Sequence, residues 1–214
     1  MRQRARTTAA ARLPLVPRAW AWARHLLVTL TAVLALGACS SSPNPNLYTL
    51  APVNGTERDN APKLVSLRQV VVARYLERLQ IVRSSDGYRL DVMANDWWGE
   101  PLGSMLDRIL VQELSQRLPQ STVFSESSAI ATSPDATVEV TIQRLDRNSE
   151  GAVVLQAQLG VSMRRRAAPV LRNFRTQVTL PTPDMSGQVA ASSAAVGQLA
   201  DEIALMLSQG VAGK

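Results

Sequence analysis

The chain has 214 residues, of which 46% are hydrophobic and 19% charged, a composition that favours a globular fold over a disordered or fibrous chain. A single cysteine and a single histidine exclude a disulfide framework and a cysteine-rich zinc site. The formal net charge of +6 suggests, at first, a protein that binds nucleic acid or an anionic membrane.

Residues 1–38 have the pattern of a cleaved secretory leader. Arginines without any acid precede an apolar run, Leu26–Leu36, which as a helix spans about half of the roughly 30 Å hydrocarbon core. The run ends in Leu36-Gly37-Ala38-Cys39, which resembles the lipobox of bacterial lipoproteins. That resemblance implies cleavage before Cys39 and acylation of its thiol and amino group. A standard signal peptidase site with an incidental cysteine is the alternative. Ser40 resembles the sorting residue of outer-membrane lipoproteins.

Cleavage before Cys39 would remove the net positive charge of the chain. All six surplus arginines lie in the leader, so the rest of the chain has 17 basic and 17 acidic residues, and no nucleic-acid partner is expected. The only histidine, His25, also lies in the leader. Without a histidine or a free thiol, Ser-His-Asp and Cys-His catalysis have no basis, and we predict no cofactor and no metal site.

The predicted strands follow a short Ser-, Pro- and Asn-rich tether at residues 39–45. A turn of the Asp-Gly type at Ser84–Gly87 predicts a hairpin, and Asn95–Glu100 is expected to be a loop. Alternating apolar residues, such as Val138, Val140 and Ile142, favour strands with one covered face and one face in water. The predicted strands are 46–53, 64–72, 80–83, 88–93, 121–126, 137–144, 152–163 and 170–180.

Two helices are predicted from apolar residues at spacings of three and four. The first begins at Pro101 and ends before Pro119, with Glu113 and Arg117 on its polar face. The second covers residues 185–209, with Asp184 as its N-cap and Gly210 as its stop. We therefore expect an α+β fold: a single domain over residues 46–209, with a mainly antiparallel sheet and two amphipathic helices packed on one face.

Carboxylates are the remaining candidates for catalysis. They form two groups in the sequence, and each group lies at a predicted strand end or turn, where solvated acids are common. A periplasmic lipoprotein enzyme acting through such acids, for example on glycans, is one alternative function. The acids are Asp91, Asp96, Glu100, Asp146 and Glu150.

Several motifs together resemble one family, the PqiC-like or ABC-type transport auxiliary lipoproteins. The most specific is Asn95–Leu102 (NDWWGEPL), which leads into a helix that ends in Leu114–Pro119 (LSQRLP). The strand Tyr48–Leu50 after the lipobox, Tyr75-Leu76 after a valine-rich strand, and Tyr88 also match. The resemblance covers most of the chain after Cys39.

The resemblance implies a protein without catalysis of its own, anchored in the outer membrane and facing the periplasm. Its implied partners are an MCE-domain protein and the inner-membrane permease or ATPase of a system that transports phospholipid or another hydrophobic solute. It also implies self-association into a ring. A purely structural envelope lipoprotein is the remaining alternative.

Four apolar residues are candidates for partner binding: Tyr75, Leu76, Trp97 and Trp98. Adjacent residues of an extended chain face opposite sides, so at least one tryptophan is expected to be accessible to a partner. The alternatives are a cluster that caps the helix for the tryptophans and a core plug for Tyr75-Leu76. Arg164, Arg165 and Arg166 are a candidate contact for lipid headgroups or an acidic partner, with a solvated strand end as the alternative.

Overall fold

The computed structural model describes residues 44–85, 87–129, 132–166 and 168–212, which form one compact unit. The leader and Cys39 lie outside the described residues. These described ranges contain nine strands and two α-helices, and a single turn of 3-10 helix, Arg74–Leu76, follows β3. The elements are β1 (Asn46–Tyr48), β2 (Leu64–Leu67), β3 (Val71–Val72), β4 (Gln80–Ser84), β5 (Leu90–Trp98), α1 (Leu102–Arg117), β6 (Thr122–Ser125), β7 (Ala136–Arg147), β8 (Ala152–Met163), β9 (Val170–Thr179) and α2 (Met185–Ala212).

The long strand β7 organises the sheet. One of its edges pairs in succession with β2, β3 and β4, all parallel to it. Its other edge pairs antiparallel with β8, which pairs antiparallel with β9. Two short branches complete the sheet: β6 lies parallel to β2, and β5 lies antiparallel to β4 and parallel to β1.

The expectation of a mainly antiparallel sheet is wrong, because five of these eight strand pairings are parallel. The segments β2, β3 and β4 follow one another along the same edge of β7 and in its direction, so all three pair with it in parallel. After β5 reverses direction against β4, α1 leads to β6, which runs parallel to β2. Alternation of apolar residues fixes which face of a strand is covered. It does not fix the direction of the neighbouring strand, which depends on residues far away in the sequence.

The core lies between the sheet and the two helices. On β7 and β8 the alternate residues beginning with Val138 and Val153 are buried, as the pattern predicts. They share one apolar cluster with the stripe of α1 and the alanine-rich face of α2. The single domain with two helices packed on the sheet is therefore confirmed.

Several element boundaries differ from those expected. Asn95–Trp98 is the end of β5, not a loop, because it pairs with both β1 and β4. The helix α2 continues past Gly210 to Ala212. Asp184 caps α2 as expected: its Oδ1 accepts the backbone N–H of Gly187 at 2.9 Å. In the described ranges, no helix is both long and apolar enough to cross a membrane.

Candidate functional site

Exposed apolar side chains are concentrated on one branch of the sheet, formed by β1, β4 and β5. Seven large hydrophobic residues are exposed in the described part of the chain, and only two of them, Val71 and Leu171, lie elsewhere. We call the other five the apolar surface: Leu47, Leu79, Tyr88, Leu90 and Val92. Concentrated exposed apolar area of this kind marks interaction sites more often than scattered apolar residues do.

A bulge in β5 decides which of its side chains face outward. Gln80 pairs with Trp97 and Val82 pairs with Val92, so β5 carries three more residues than β4 between these two points. Paired residues share a face of the sheet, and alternate residues of β4 do as well. Trp97, Val92 and Leu90 therefore lie on one face, and Leu47 joins them because it pairs with Trp97.

The adjacent tryptophans have different environments. Trp98 is 5% exposed and belongs to the core, and its backbone N–H donates to the carbonyl of Leu79 at 2.7 Å. Trp97 is half-buried, and its indole N–H donates to the carbonyl of Ala94 at 2.9 Å, inside the bulge. The expectation that one tryptophan stays accessible agrees with this placement. Trp98 as a direct contact for a partner does not, since its ring is enclosed by the core.

Tyr75 and Leu76 also have different environments. Leu76 is buried in the core, which agrees with the alternative of a core plug. Tyr75 is half-buried and donates its hydroxyl to Oδ2 of Asp146 at 2.7 Å, and Arg144 binds the other oxygen of that carboxylate at 2.9 Å. Burial and the neighbouring carboxylate raise the pKa of Tyr75, so its hydroxyl remains a donor at neutral pH.

Sequence reasoning missed a strap, residues 51–58, that runs from β1 across both helices. Its backbone N–H groups donate to side chains of α2 and α1: Ala51 to Ser193 Oγ at 3.1 Å, Val53 to Glu113 Oε1 at 2.8 Å, and Gly55 to Gln116 Oε1 at 2.9 Å. The chain that leaves the predicted tether is thus fixed to the helix pair directly after its first strand.

Arg117 is the centre of the contacts under the strap. Its side chain is fully buried and donates to Asp201 Oδ1 at 2.7 Å and to the carbonyls of Val53 at 2.9 Å and Gly197 at 3.0 Å. The sequence pattern places Arg117 on the polar face of α1, where a solvent-exposed side chain is expected. The side chain is instead fully buried. A long polar face next to a second helix and a strap is buried by them.

Glu113 lies in the same place and carries a strongly perturbed carboxyl. It is 1% exposed, Oε1 accepts the N–H of Val53, and among the described residues no hydrogen-bond partner reaches Oε2. Burial raises the pKa of Glu113 to about 7, against the opposing effects of the Val53 N–H and the Arg117 charge. The carboxyl of Glu113 accepts the backbone N–H of Val53, so its change of ionisation near neutral pH alters the hydrogen bond that fixes the strap.

The three consecutive arginines lie at the turn between β8 and β9, and all are exposed. Arg164 forms an ion pair with Asp135 at 2.6 Å. Arg164 is also fixed through its backbone, which donates to the carbonyl of Asp135, and Arg166 through its N–H to Met163. The turn therefore presents Arg165 and its neighbours on one end of the sheet.

The five candidate carboxylates are each held by a different partner. Asp91 pairs with Arg89, Asp96 accepts the hydroxyl of Tyr48, Glu100 pairs with Arg108, Asp146 binds Tyr75 and Arg144, and Glu150 accepts the amide of Gln177. Each carboxylate is thereby occupied in a separate contact of the fold. The described part of the chain holds no group of three or more His, Cys, Asp or Glu residues placed to bind a metal ion.

Comparison with known proteins places the chain beside lipoproteins of transport systems. The profile of the family described as ABC-type transport auxiliary lipoprotein component matches residues 48–204. The chain is 28% identical over 135 residues to the intermembrane transport lipoprotein PqiC of Escherichia coli, which covers 62% of this chain and 71% of that protein. The PqiC of Shigella flexneri gives the same values.

Two crystal structures have a similar fold. An uncharacterized protein superposes with a TM-score of 0.66 at 22% identity, over 77% of this chain and 99% of its own. A protein from Xanthomonas campestris superposes with a TM-score of 0.65 at 16% identity, over 77% of this chain and 96% of its own. At these identities the similarity concerns the fold alone.

Proposed function

The chain belongs to the family of ABC-type transport auxiliary lipoprotein components, and from this premise we propose that it is the non-catalytic auxiliary subunit of an MCE-type transport system. The system moves phospholipid or another hydrophobic solute between the membranes and so maintains the integrity of the envelope. The subunit is anchored in the outer membrane by acylated Cys39 and faces the periplasm. Its partners are the MCE-domain protein and, through it, the inner-membrane permease or ATPase.

The observation that carries this proposal is the extent of the family match. It runs from Tyr48 in β1 to residue 204 in α2 and so includes all nine strands, at least in part, and both helices. The apolar surface supports a role in binding, since a subunit that acts by docking needs accessible apolar side chains. Separate, individually paired carboxylates lend no support to the alternative of an enzyme.

We assign the contact with the MCE-domain partner to Trp97, with Tyr75 as a second candidate. Trp97 combines a large aromatic ring, partial exposure and a hydrogen bond that fixes its orientation, which is the character of an interface anchor. Trp98 and Leu76 support the same segments from inside the core. Arg164, Arg165 and Arg166 are assigned to contacts with phospholipid headgroups or an acidic partner surface.

Co-purification tests the proposal. The tagged, acylated chain is expressed in its own host, membranes are solubilised in mild detergent, and captured proteins are identified by mass spectrometry. We expect the MCE-domain protein to be captured by the wild type and several-fold less by Trp97→Ala. Leu171→Ala, which removes an exposed apolar side chain from β9, is the matched control and should capture as much as the wild type.

Two results would count against the proposal in different ways. Absence of any MCE-domain protein from the wild-type capture overturns the transport role. Equal capture by the wild type and Trp97→Ala leaves the role in place and removes Trp97 from the interface. Self-association is measured on the same purified sample by mass photometry, where a ring predicts one discrete multiple of the monomer mass.

A further inference from the structure

The register of β1 determines the side from which the tether approaches the domain. Asn46 pairs with Asp96, Leu47 with Trp97 and Tyr48 with Trp98, in parallel. Residues before Asn46 therefore approach from the side where β5 begins, which is the turn of the β4–β5 hairpin. The hairpin turn thus lies on the side of β1 from which the chain enters the domain.

The length of the tether brings this side close to the bilayer. From Cys39 to Asn46 the chain spans at most about 25 Å when fully extended. From Asp96 back to Leu90, β5 extends toward its hairpin turn by about 20 Å or less, since the bulge shortens it. Beside β4 this stretch spans only Gln80 to Ser84, about 14 Å, which is less than the reach of the tether. The hairpin end therefore touches the plane of the anchor when the strands point toward the membrane and the tether is not fully extended.

The residues at this end suit a lipid surface. Tyr88 is 100% exposed, Leu90 45% and Val92 42%, and we call these three the hairpin patch. Among the described residues next to them, Arg89 forms an ion pair with Asp91 at 3.2 Å. An aromatic residue with a polar hydroxyl beside aliphatic residues is the composition found at the boundary between headgroups and acyl chains.

We propose that the hairpin patch rests on the outer-membrane lipid surface as a second attachment beside the acyl anchor. This inference rests on the anchoring of Cys39 proposed above. The patch orients the domain relative to the membrane, with the hairpin turn nearest the lipid and Trp97 farther from that turn along β5. A lipid surface is favoured over a second protein because the tether keeps the domain next to the membrane whether or not another protein is present.

Single-cysteine labelling tests the proposal on the acylated full chain. The only natural cysteine is the acylated one, so Leu90→Cys and Val92→Cys each accept an environment-sensitive fluorophore at one site, and Leu171→Cys on β9 provides the matched exposed control. All three replacements are at exposed positions and preserve the core. The proteins are reconstituted on vesicles of phosphatidylethanolamine and phosphatidylglycerol, without any partner, and probed with lipid-borne nitroxide and with aqueous iodide.

We expect the fluorophores at positions 90 and 92 to shift to the blue, to be quenched by the nitroxide lipid and to be shielded several-fold from iodide. The fluorophore at 171 should respond as in water. Water-like behaviour at 90 and 92, in protein that floats with the vesicles, overturns the proposal. Shielding from iodide without quenching by the nitroxide lipid also overturns it, since a second copy of the chain would then cover the patch.

A failure of the hairpin-patch proposal can be distinguished from a failure of the proposed function. Protein that fails to float with vesicles, or that carries fluorophore on Cys39, contradicts the anchor itself. Capture of the MCE-domain protein is scored on the same variants. Leu171→Cys, which lies outside the apolar surface, should keep that capture at the wild-type level.

Discussion

The guanidinium of Arg117 on α1 lies 2.7 Å from the carboxylate of Asp201 on α2, with the strap crossing directly above this pair. The same guanidinium donates hydrogen bonds to the carbonyls of Val53 in the strap and Gly197 in α2. One fully buried side chain therefore joins both helices to the segment that leads from the tether.

Arg117→Met is expected to be severely destabilising. The change leaves the carbonyls of Val53 and Gly197 without their donor, at about 1–3 kcal/mol for each unpaired buried group. The lost attraction to Asp201 adds little, because that carboxylate is partly exposed. The free energy of unfolding, from urea denaturation, is the measurement. Arg108→Met breaks an exposed pair with Glu100 and serves as the control, with an expected loss below about 1 kcal/mol. Equal losses in the two variants would contradict the assigned role of Arg117.

Glu113 predicts how stability depends on pH. Its carboxyl binds a proton more tightly in the folded state, where the pKa is about 7, than in the unfolded chain, where it is near 4.5. The folded state therefore loses stability as pH rises from about 4.5 through about 7, by at most about 3 kcal/mol. Unfolding experiments at several pH values should find this loss in the wild type. Glu113→Gln should lack it, and parallel curves would contradict the prediction.

Gly55 should not tolerate a side chain. A Cβ at this position would overlap Nε of Arg117 and Oδ1 of Asp201. Gly55→Ala must displace the strap or the buried ion pair, with an expected cost of about 1–3 kcal/mol. At Gly99 a Cβ would meet only the carbonyl of Tyr48, at 3.5 Å, so Gly99→Ala is the tolerated control. Thermal unfolding of both variants measures the difference.

The two tryptophans are expected to differ in what they contribute. Trp98→Ala opens a cavity in the core and should cost about 3–5 kcal/mol of stability. Trp97→Ala removes a half-buried ring and should cost far less, while it reduces capture of the partner. Denaturation midpoints and capture, measured on the same preparations, separate these effects. A stable Trp98→Ala variant would be inconsistent with the packing described.

Local patterns predict the local elements of this fold well. The stripe of α1 and the alternation of β7 and β8 follow from helix and strand periodicity, and Asp184 behaves as an N-cap because capping needs only neighbouring residues. The direction of the strands beside β7 was missed, since it depends on pairing with residues far along the chain.

The candidate site depends even more on distant contacts. The alternate apolar residues Tyr88, Leu90 and Val92 predict a strand face that is covered by the core. Instead, all three are exposed, and Met93 on the other face packs toward the core. Leu90 and Val92 pair with Ser84 and Val82, so they lie on the face opposite to Arg83, which contacts Gln188 of α2. The strap, likewise, is held by Glu113 and Arg117, which no local pattern connects to Val53.

The docking role is tested most directly by crosslinking in intact cells. A photo-reactive phenylalanine analogue replaces Trp97 in the acylated chain, cells are irradiated, and the adducts are identified by mass spectrometry. The account predicts an adduct with the MCE-domain protein from position 97 and none from the same analogue at Leu171. Adducts at 97 that contain only lipid or a second copy of this chain, with none to the MCE-domain protein, would contradict it.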